Sequence, residues 1–155
     1  MARINTPKTK LLAIVDSNIL VYALIKDYPD KERHEKCLAL IDRGLRGQLD
    51  YCLAVNSTII AEVFTVLKGM LGKDAAEARM ATMLNSKHIA YLPISKEACK
   101  NAVEWATKLS IPVNDALIAA CAAEQAPTIY TNDEEHFKKL ETHNLTIINT
   151  TTATI

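Results

Sequence analysis

The most constraining feature of this 155-residue chain is a run of aliphatic residues, Leu11–Val15, that ends abruptly in Asp16-Ser-Asn. Such a run has no polar face, so it suits a strand covered on both sides, the setting of a parallel sheet. Further apolar runs follow at Tyr51–Val55, 89–94, Thr128–Thr131 and 145–148. Parallel neighbours cannot be joined by a tight turn, so each gap must hold a crossover. Every gap here carries helical spacing.

Residues 19–25 continue the first run into a helix that Asp27-Tyr-Pro-Asp stops. Cys37, Leu38, Leu40, Ile41 and Leu45 stripe a helix over 31–46, closed near Gly44 or Gly47. Asn56 or Ser57 caps a helix reaching Leu71, and a second amphipathic helix covers 74–86. Pro93 sits at the exit of the third strand, and Ser95 caps a helix carrying Ala98, Cys99, Ala102, Val103, Ala106 and Leu109. Asn114 is the expected cap of an Ala-rich helix over 115–125 that Pro127 ends, and a short helix covers 134–140. The alternation predicts one α/β domain over residues 1–155, with a central five-stranded parallel sheet and helices on both faces. Residues 1–10 and 150–155 read as loose ends.

With 49% hydrophobic but only 5% aromatic residues, the core is expected to be aliphatic. Lys plus Arg and Asp plus Glu each number 18, which excludes bulk electrostatic attraction to nucleic acid and makes any phosphate contact local. Lys26, Lys68, Lys73, Lys138 and Lys139 are candidates for such contacts, although a solvated surface lysine is the commoner explanation of each. Cys37, Cys99 and Cys121 fall at apolar helical positions and read, with Cys52, as reduced thiols, the first three buried. Neither the cysteines nor His34, His88, His136 and His143 have zinc-site spacing. No apolar run is long enough to span a bilayer, so the expectation is a soluble, cytoplasmic protein with no membrane partner.

Ligands of parallel sheets sit beyond the carboxyl ends of the strands. Asp16 follows the first strand directly, and Asp133 follows the fourth after one residue. Asp115 opens a helix, where the partial positive charge of the helix end favours a carboxylate. Glu62 interrupts the most apolar stretch of its helix. Each acid alone is equally explained as a cap, a turn residue or, for Glu62, a boundary residue paired with Lys26 or Lys68. Together they mean more. Carboxylates gathered in a partly dry cleft repel one another, and a hard divalent cation relieves that. An all-oxygen ligand set selects magnesium or manganese, which can polarise a phosphodiester and acidify water.

Val15-Asp16-Ser17-Asn18-Ile19-Leu20, Ser57 to Glu62 as S-T-I-I-A-E, Asp115-Ala-Leu-Ile-Ala-Ala and Thr131-Asn-Asp133 resemble, in that order, the motifs of PIN-domain nucleases, and most of all the VapC-type toxin ribonucleases. His34-Glu-Lys-Cys-Leu adds to the likeness, which covers about residues 11–149. The resemblance implies a three-layer PIN-like fold and an acidic quartet of Asp16, Glu62, Asp115 and Asp133 holding one or two Mg2+ or Mn2+ ions. It gives Asn18 the role of supporting the first Asp, and Thr131 that of positioning the last acid or the attacking water. Glu134 and Glu135 leave open which acid completes the site. It further implies cleavage of single-stranded RNA to 5′-phosphate and 3′-hydroxyl ends, homodimers, and a small antitoxin protein lying across the cleft.

Two readings within the fold compete with a toxin: a stand-alone RNA-processing nuclease and a non-catalytic interaction module. Retention of all four acids argues against the module. An aspartyl-phosphate enzyme would want a second acid two residues after Asp16, where Asn18 stands, and a lysine after a later strand.

Overall fold

The structure, a computed structural model, describes residues 10–150. Its sheet is built from β1 (Leu11–Val15), β2 (Tyr51–Val55), β3 (Ile89–Tyr91), β4 (Thr128–Thr131) and β5 (Thr146–Asn149). All are parallel, in the order β3-β2-β1-β4-β5. The crossovers carry α1 (Ser17–Leu24), α2 (Lys31–Leu45), α3 (Ser57–Leu71), α4 (Lys73–Leu84), α5 (Lys96–Leu109), α6 (Val113–Gln125) and α7 (Glu134–Lys138). The chain builds outward from β1 to β3, then returns to the other side of β1 for β4. With right-handed crossovers that reversal places helices on both faces of the sheet. The result is the expected α/β architecture.

The core is aliphatic. Val15, Ile14, Leu53 and Ile129 of the sheet are buried beneath Ile19, Leu40, Ile59, Leu67 and Ile118 of the helices, and Phe137 is the one aromatic among the largest fully buried side chains. Gly44 lets α2 lie directly on β2, since a Cβ there would stand 2.4 Å from Leu53 Cδ1. Gly72 adopts a φ of 87°, which ends α3 and turns the chain into α4.

Several boundaries differ from the sequence reading. β3 stops at Tyr91: Leu92 still donates to the Val55 carbonyl at 2.8 Å, but Pro93 has no N–H to continue the ladder. α6 starts at Val113 with Pro112 as its N-cap, so Asn114 lies in the first turn and caps nothing. α7 closes at Lys138, and a 3₁₀ turn, Glu141–His143, follows. Cys99 is exposed, because Ala98 and Ala102 take the buried side of α5 at helical spacing. Of the expected loose ends, residues 1–9 and 151–155 lie outside the described residues. Lys10 and Thr150 are held: Lys10 Nζ donates to the carbonyls of Gly47 and Leu49, and the buried Thr150 hydroxyl bonds Asn132. Among the described residues no helix is long and apolar enough to cross a membrane.

α7 is too short to be stable alone, and its fully buried Phe137 is what fastens it to the sheet. Phe137→Ala is therefore expected to cost about 3–5 kcal/mol, read from urea unfolding. A cost under about 1 kcal/mol would show that α7 is held by something else.

Candidate active site

The reversal of strand order falls between β1 and β4, where an open parallel sheet leaves a crevice at the strands' carboxyl ends. The Asp16 amide donates to the Tyr130 carbonyl at 2.9 Å, which pins the end of β1 to β4. Asp16 is also the N-cap of α1, with Oδ1 accepting from the Ser17 amide at 2.7 Å. The capping role and a place in the crevice are one conformation. The side chain is only 3% exposed.

Glu62 reaches the same place from α3. Ile59, Val63 and Leu67 form the buried stripe of that helix, and Glu62, three residues after Ile59, flanks it on the side facing α1. Its Oε2 accepts from the Ser17 hydroxyl at 3.0 Å, and that hydroxyl also lies 3.3 Å from Asp16 Oδ1. Neither Lys26 nor Lys68 pairs with it: Glu62 turns inward. The other oxygen, Oε1, is buried with no hydrogen-bond partner among the described residues.

Asp115 stands in the first turn of α6, near the positive end of the helix. His136 Nδ1 lies 2.7 Å from Asp115 Oδ2 and 3.1 Å from Asp133 Oδ2, so one imidazole bridges two of the acids. Asp115, Asp133 and His136 each offer a ligand atom within 4.8 Å of the others. Thr131 links the two halves of the site. Its hydroxyl donates to Asp16 Oδ2 at 2.8 Å and accepts from the Asp133 amide at 2.9 Å. Asn18 bonds not Asp16 but the loop after β4, its Oδ1 accepting from the Asn132 amide at 3.3 Å. Glu134 points elsewhere, to Lys138 at 3.0 Å, and Glu135 is exposed.

Burial pushes the Asp16 carboxyl up from the usual 3.8 to about 7; the Thr131 and Ser17 bonds oppose that, and the charges of Asp115 and Glu62 add to it. Burial also raises Glu62, against its Ser17 bond and with the charge of Asp115. Asp115 is raised by burial and by Asp133, with His136 pulling the other way. Three acids held above their ordinary range by burial and mutual repulsion, one with an orphaned buried oxygen, would be relieved by a hard divalent cation. Among the described residues the ligand atoms already within 4.8 Å of one another are those of Asp115, Asp133 and His136, and Asp16 and Glu62 stand outside that group. His136 and Ser17 had no role in the sequence reading. The i,i+3 spacing of Asp133 and His136 was the available signal for the first, and adjacency to Asp16 for the second. A larger cavity, about 350 Å3, opens at the opposite, amino-terminal edge of β1 and β2 beside Lys10, Tyr51 and His88, away from these acids.

Fold and crevice together define a doubly wound α/β domain with carboxylates collected at its switch point. The chain belongs to the PIN domain family, whose model matches residues 13–142. No curated protein matches it in sequence. Among solved structures, it is similar to a Mycobacterium tuberculosis VapC toxin named as cleaving the sarcin–ricin loop, with TM-score 0.67, 18% identity, and 81% of this chain and 93% of that chain covered. It is likewise similar to a Rickettsia felis VapBC complex bound to promoter DNA, with TM-score 0.67, 23% identity, and coverage of 90% and 98%. A third is a VapBC complex of nontypeable Haemophilus influenzae, with TM-score 0.62, 22% identity, and coverage of 91% and 99%.

The raised Asp16 carboxyl makes a stability prediction. An unfolded Asp titrates near 3.9, so between that value and about 7 the folded state holds a proton that the unfolded state has lost, and stability falls as pH rises. Asp16→Asn removes that loss. It is expected to add up to about 4 kcal/mol at pH 8 and little at pH 4, read from urea unfolding at both values. No gain at pH 8, or the same gain at both, would contradict the burial account.

Proposed function

We propose that this chain is a metal-dependent endoribonuclease that cleaves single-stranded RNA and serves as the toxin of a toxin–antitoxin pair. The observation that carries the reading is the collection of acids at the crevice: Asp115, Asp133 and His136 with ligand atoms within 4.8 Å of one another, and Asp16 and Glu62 near enough to be raised by the charge of Asp115. Family membership and the likeness to VapC structures support it. Asp16 and Asp115 would hold Mg2+ or Mn2+, as one ion or two, with Glu62 completing the set and Asp133 positioning the ion or the attacking water. The cation would supply positive charge opposite the phosphodiester and acidify water.

The chain's other residues act by holding these acids. Thr131 fixes Asp16 Oδ2 and, through the Asp133 amide, the start of α7. Ser17 sets the spacing of Asp16 and Glu62. Asn18 ties α1 to the loop before Asp133. The His136 ring, with Nδ1 2.7 Å from Asp115 and 3.1 Å from Asp133, holds these two acids together. With so many donors aimed at carboxylates, little reorganisation is required when substrate arrives. Products with 5′-phosphate and 3′-hydroxyl ends, which the family resemblance implies, would come from water attack at phosphorus with the 3′ oxygen as the leaving group. The partners proposed are RNA, a second copy of the chain and a small antitoxin protein, the last supported by the VapBC complexes among the similar structures.

Purified protein is expected to cut RNA with Mn2+ or Mg2+ and to stop in EDTA. Asp16→Asn, Glu62→Gln and Asp115→Asn should each lose more than the roughly 10- to 100-fold that loss of an outer partner costs at metal sites. Full activity in Asp16→Asn would refute the assignment. No cleavage together with no Mn2+ uptake by calorimetry would leave a non-catalytic interaction module.

The toxin role has its own test. Induced expression should arrest growth, and co-expression of a short neighbouring reading frame should restore it. Unimpaired growth with active enzyme would favour a stand-alone RNA-processing nuclease.

A further inference from the structure

We infer that the cavity between α1 and α3 beside Glu62 receives one base of the RNA strand next to the bond that is cut, an assignment that rests on the nuclease reading above. The cavity holds about 230 Å3. Its lining is Ser17, Asn18 and Glu62, the apolar Val21 and Val66, and the rings of Tyr22 and Tyr28. Ser17 and Glu62 are the pair joined at 3.0 Å beside Asp16, so the cavity begins where the acid cluster ends. A nucleotide whose phosphate lies on the acids presents its base at that boundary.

The wall chemistry selects the occupant. Among the described residues no Lys or Arg lines the cavity, and the neighbouring Arg33 is already engaged by Asp30 and Tyr22, so a phosphate would find little free counter-charge there. Two aromatic rings and two valines suit a flat, uncharged group instead. The Tyr22 and Tyr28 rings stand 4.4 Å apart between centroids and at 88° to each other. A planar base lying on one ring turns its edge to the face of the other, and stacked and edge-to-face contacts are both favourable for aromatics. The corner is built in advance: the Arg33 guanidinium sits 5.2 Å over the Tyr22 ring, and its Nη1 donates to the Tyr22 hydroxyl at 3.2 Å. A base reaches such a corner only when it has left its stack, which duplex RNA resists and a single strand permits.

A short RNA whose cut position has been mapped with Mn2+ tests the assignment. Its dissociation constant is measured by fluorescence anisotropy with Ca2+ in place of Mn2+, under conditions where no cleavage is detected, intact and with single bases removed on either side of the cut. Base stacking on an aromatic side chain is worth about 1–3 kcal/mol, so removal of the seated base should weaken binding by about 5- to 150-fold in the unaltered protein. Tyr28→Ala should weaken the intact RNA similarly and become indifferent to that base. Tyr28→Phe, which keeps the ring, should behave as the unaltered protein and so control for folding. A base-removal penalty that persists in Tyr28→Ala overturns the inference, and so does the absence of a penalty at every position. In either case, intact Mn2+-dependent cleavage leaves the nuclease reading standing and assigns the pocket to a protein partner. No cleavage by the unaltered protein removes both.

Discussion

The strain on which the site turns is electrostatic: Asp16 is buried at the end of β1, within reach of two other acids, and its carboxyl is pushed far above its ordinary range. An isolated buried carboxylate is costly, and cores normally avoid it or pair it. Here no Lys or Arg among the described residues forms an ion pair with it. Instead the fold surrounds Asp16 with donors that belong to other elements: the Ser17 amide of α1 and the Thr131 hydroxyl of β4. Those bonds soften the penalty without removing it. What is left is the affinity for positive charge that a cation site requires.

The same logic organises the other acids. His136 bridges Asp115 and Asp133, and Ser17 bridges Asp16 and Glu62. Thr131 joins the two pairs. Each bridge spans residues far apart in the chain but fixed on rigid elements, so the acids are held at short range despite their repulsion. Helix ends contribute as well, since Asp16 caps α1 and Asp115 lies in the first turn of α6. Beyond Glu62 the chemistry changes from carboxylate to aromatic and aliphatic within one cavity. That change is what a proposed nucleotide needs, with its charge at one end and its flat face at the other.

Much of this was legible before the structure. Leu11–Val15 announced a doubly covered strand because the run has no polar face, and the Asp16-Ser-Asn that follows marked its exit. Ala13, Ile14 and Val15 are indeed buried, but Leu11 at the strand's entry is 82% exposed. Glu62 stood out because a charge inside Ile59 to Phe64 demands a reason, and the structure gives it a neighbour, Ser17, in place of the solvent lysines considered. Other features were illegible for equally physical reasons. Asn114 looks like a cap, yet Pro112, with φ already fixed, takes that position one turn-start earlier. Cys99 shares a helical stripe with Ala98 and Ala102, but a stripe has edges, and Cys99 lies over one. His136 has no zinc-like spacing, so its bridging place between acids at 115 and 133 waited on the packing of α7 against α6.

The sequence by itself determined the alternation of strands and helices, the aliphatic core, and which residues stand at strand exits and helix starts. Those properties depend on neighbours within a few positions, and periodicity records them. The strand order was decided only by tertiary structure. Nothing local tells β4 to lie against β1, yet that pairing places Thr131 on Asp16 and makes the switch point a crevice. The grouping of Asp115, Asp133 and His136, the Ser17 bridge from Asp16 to Glu62, the unpartnered oxygen of Glu62 and the tyrosine corner beside it all follow from contacts across the chain. Local chemistry supplies the groups, and long-range packing sets the distances at which they repel, bridge or bind.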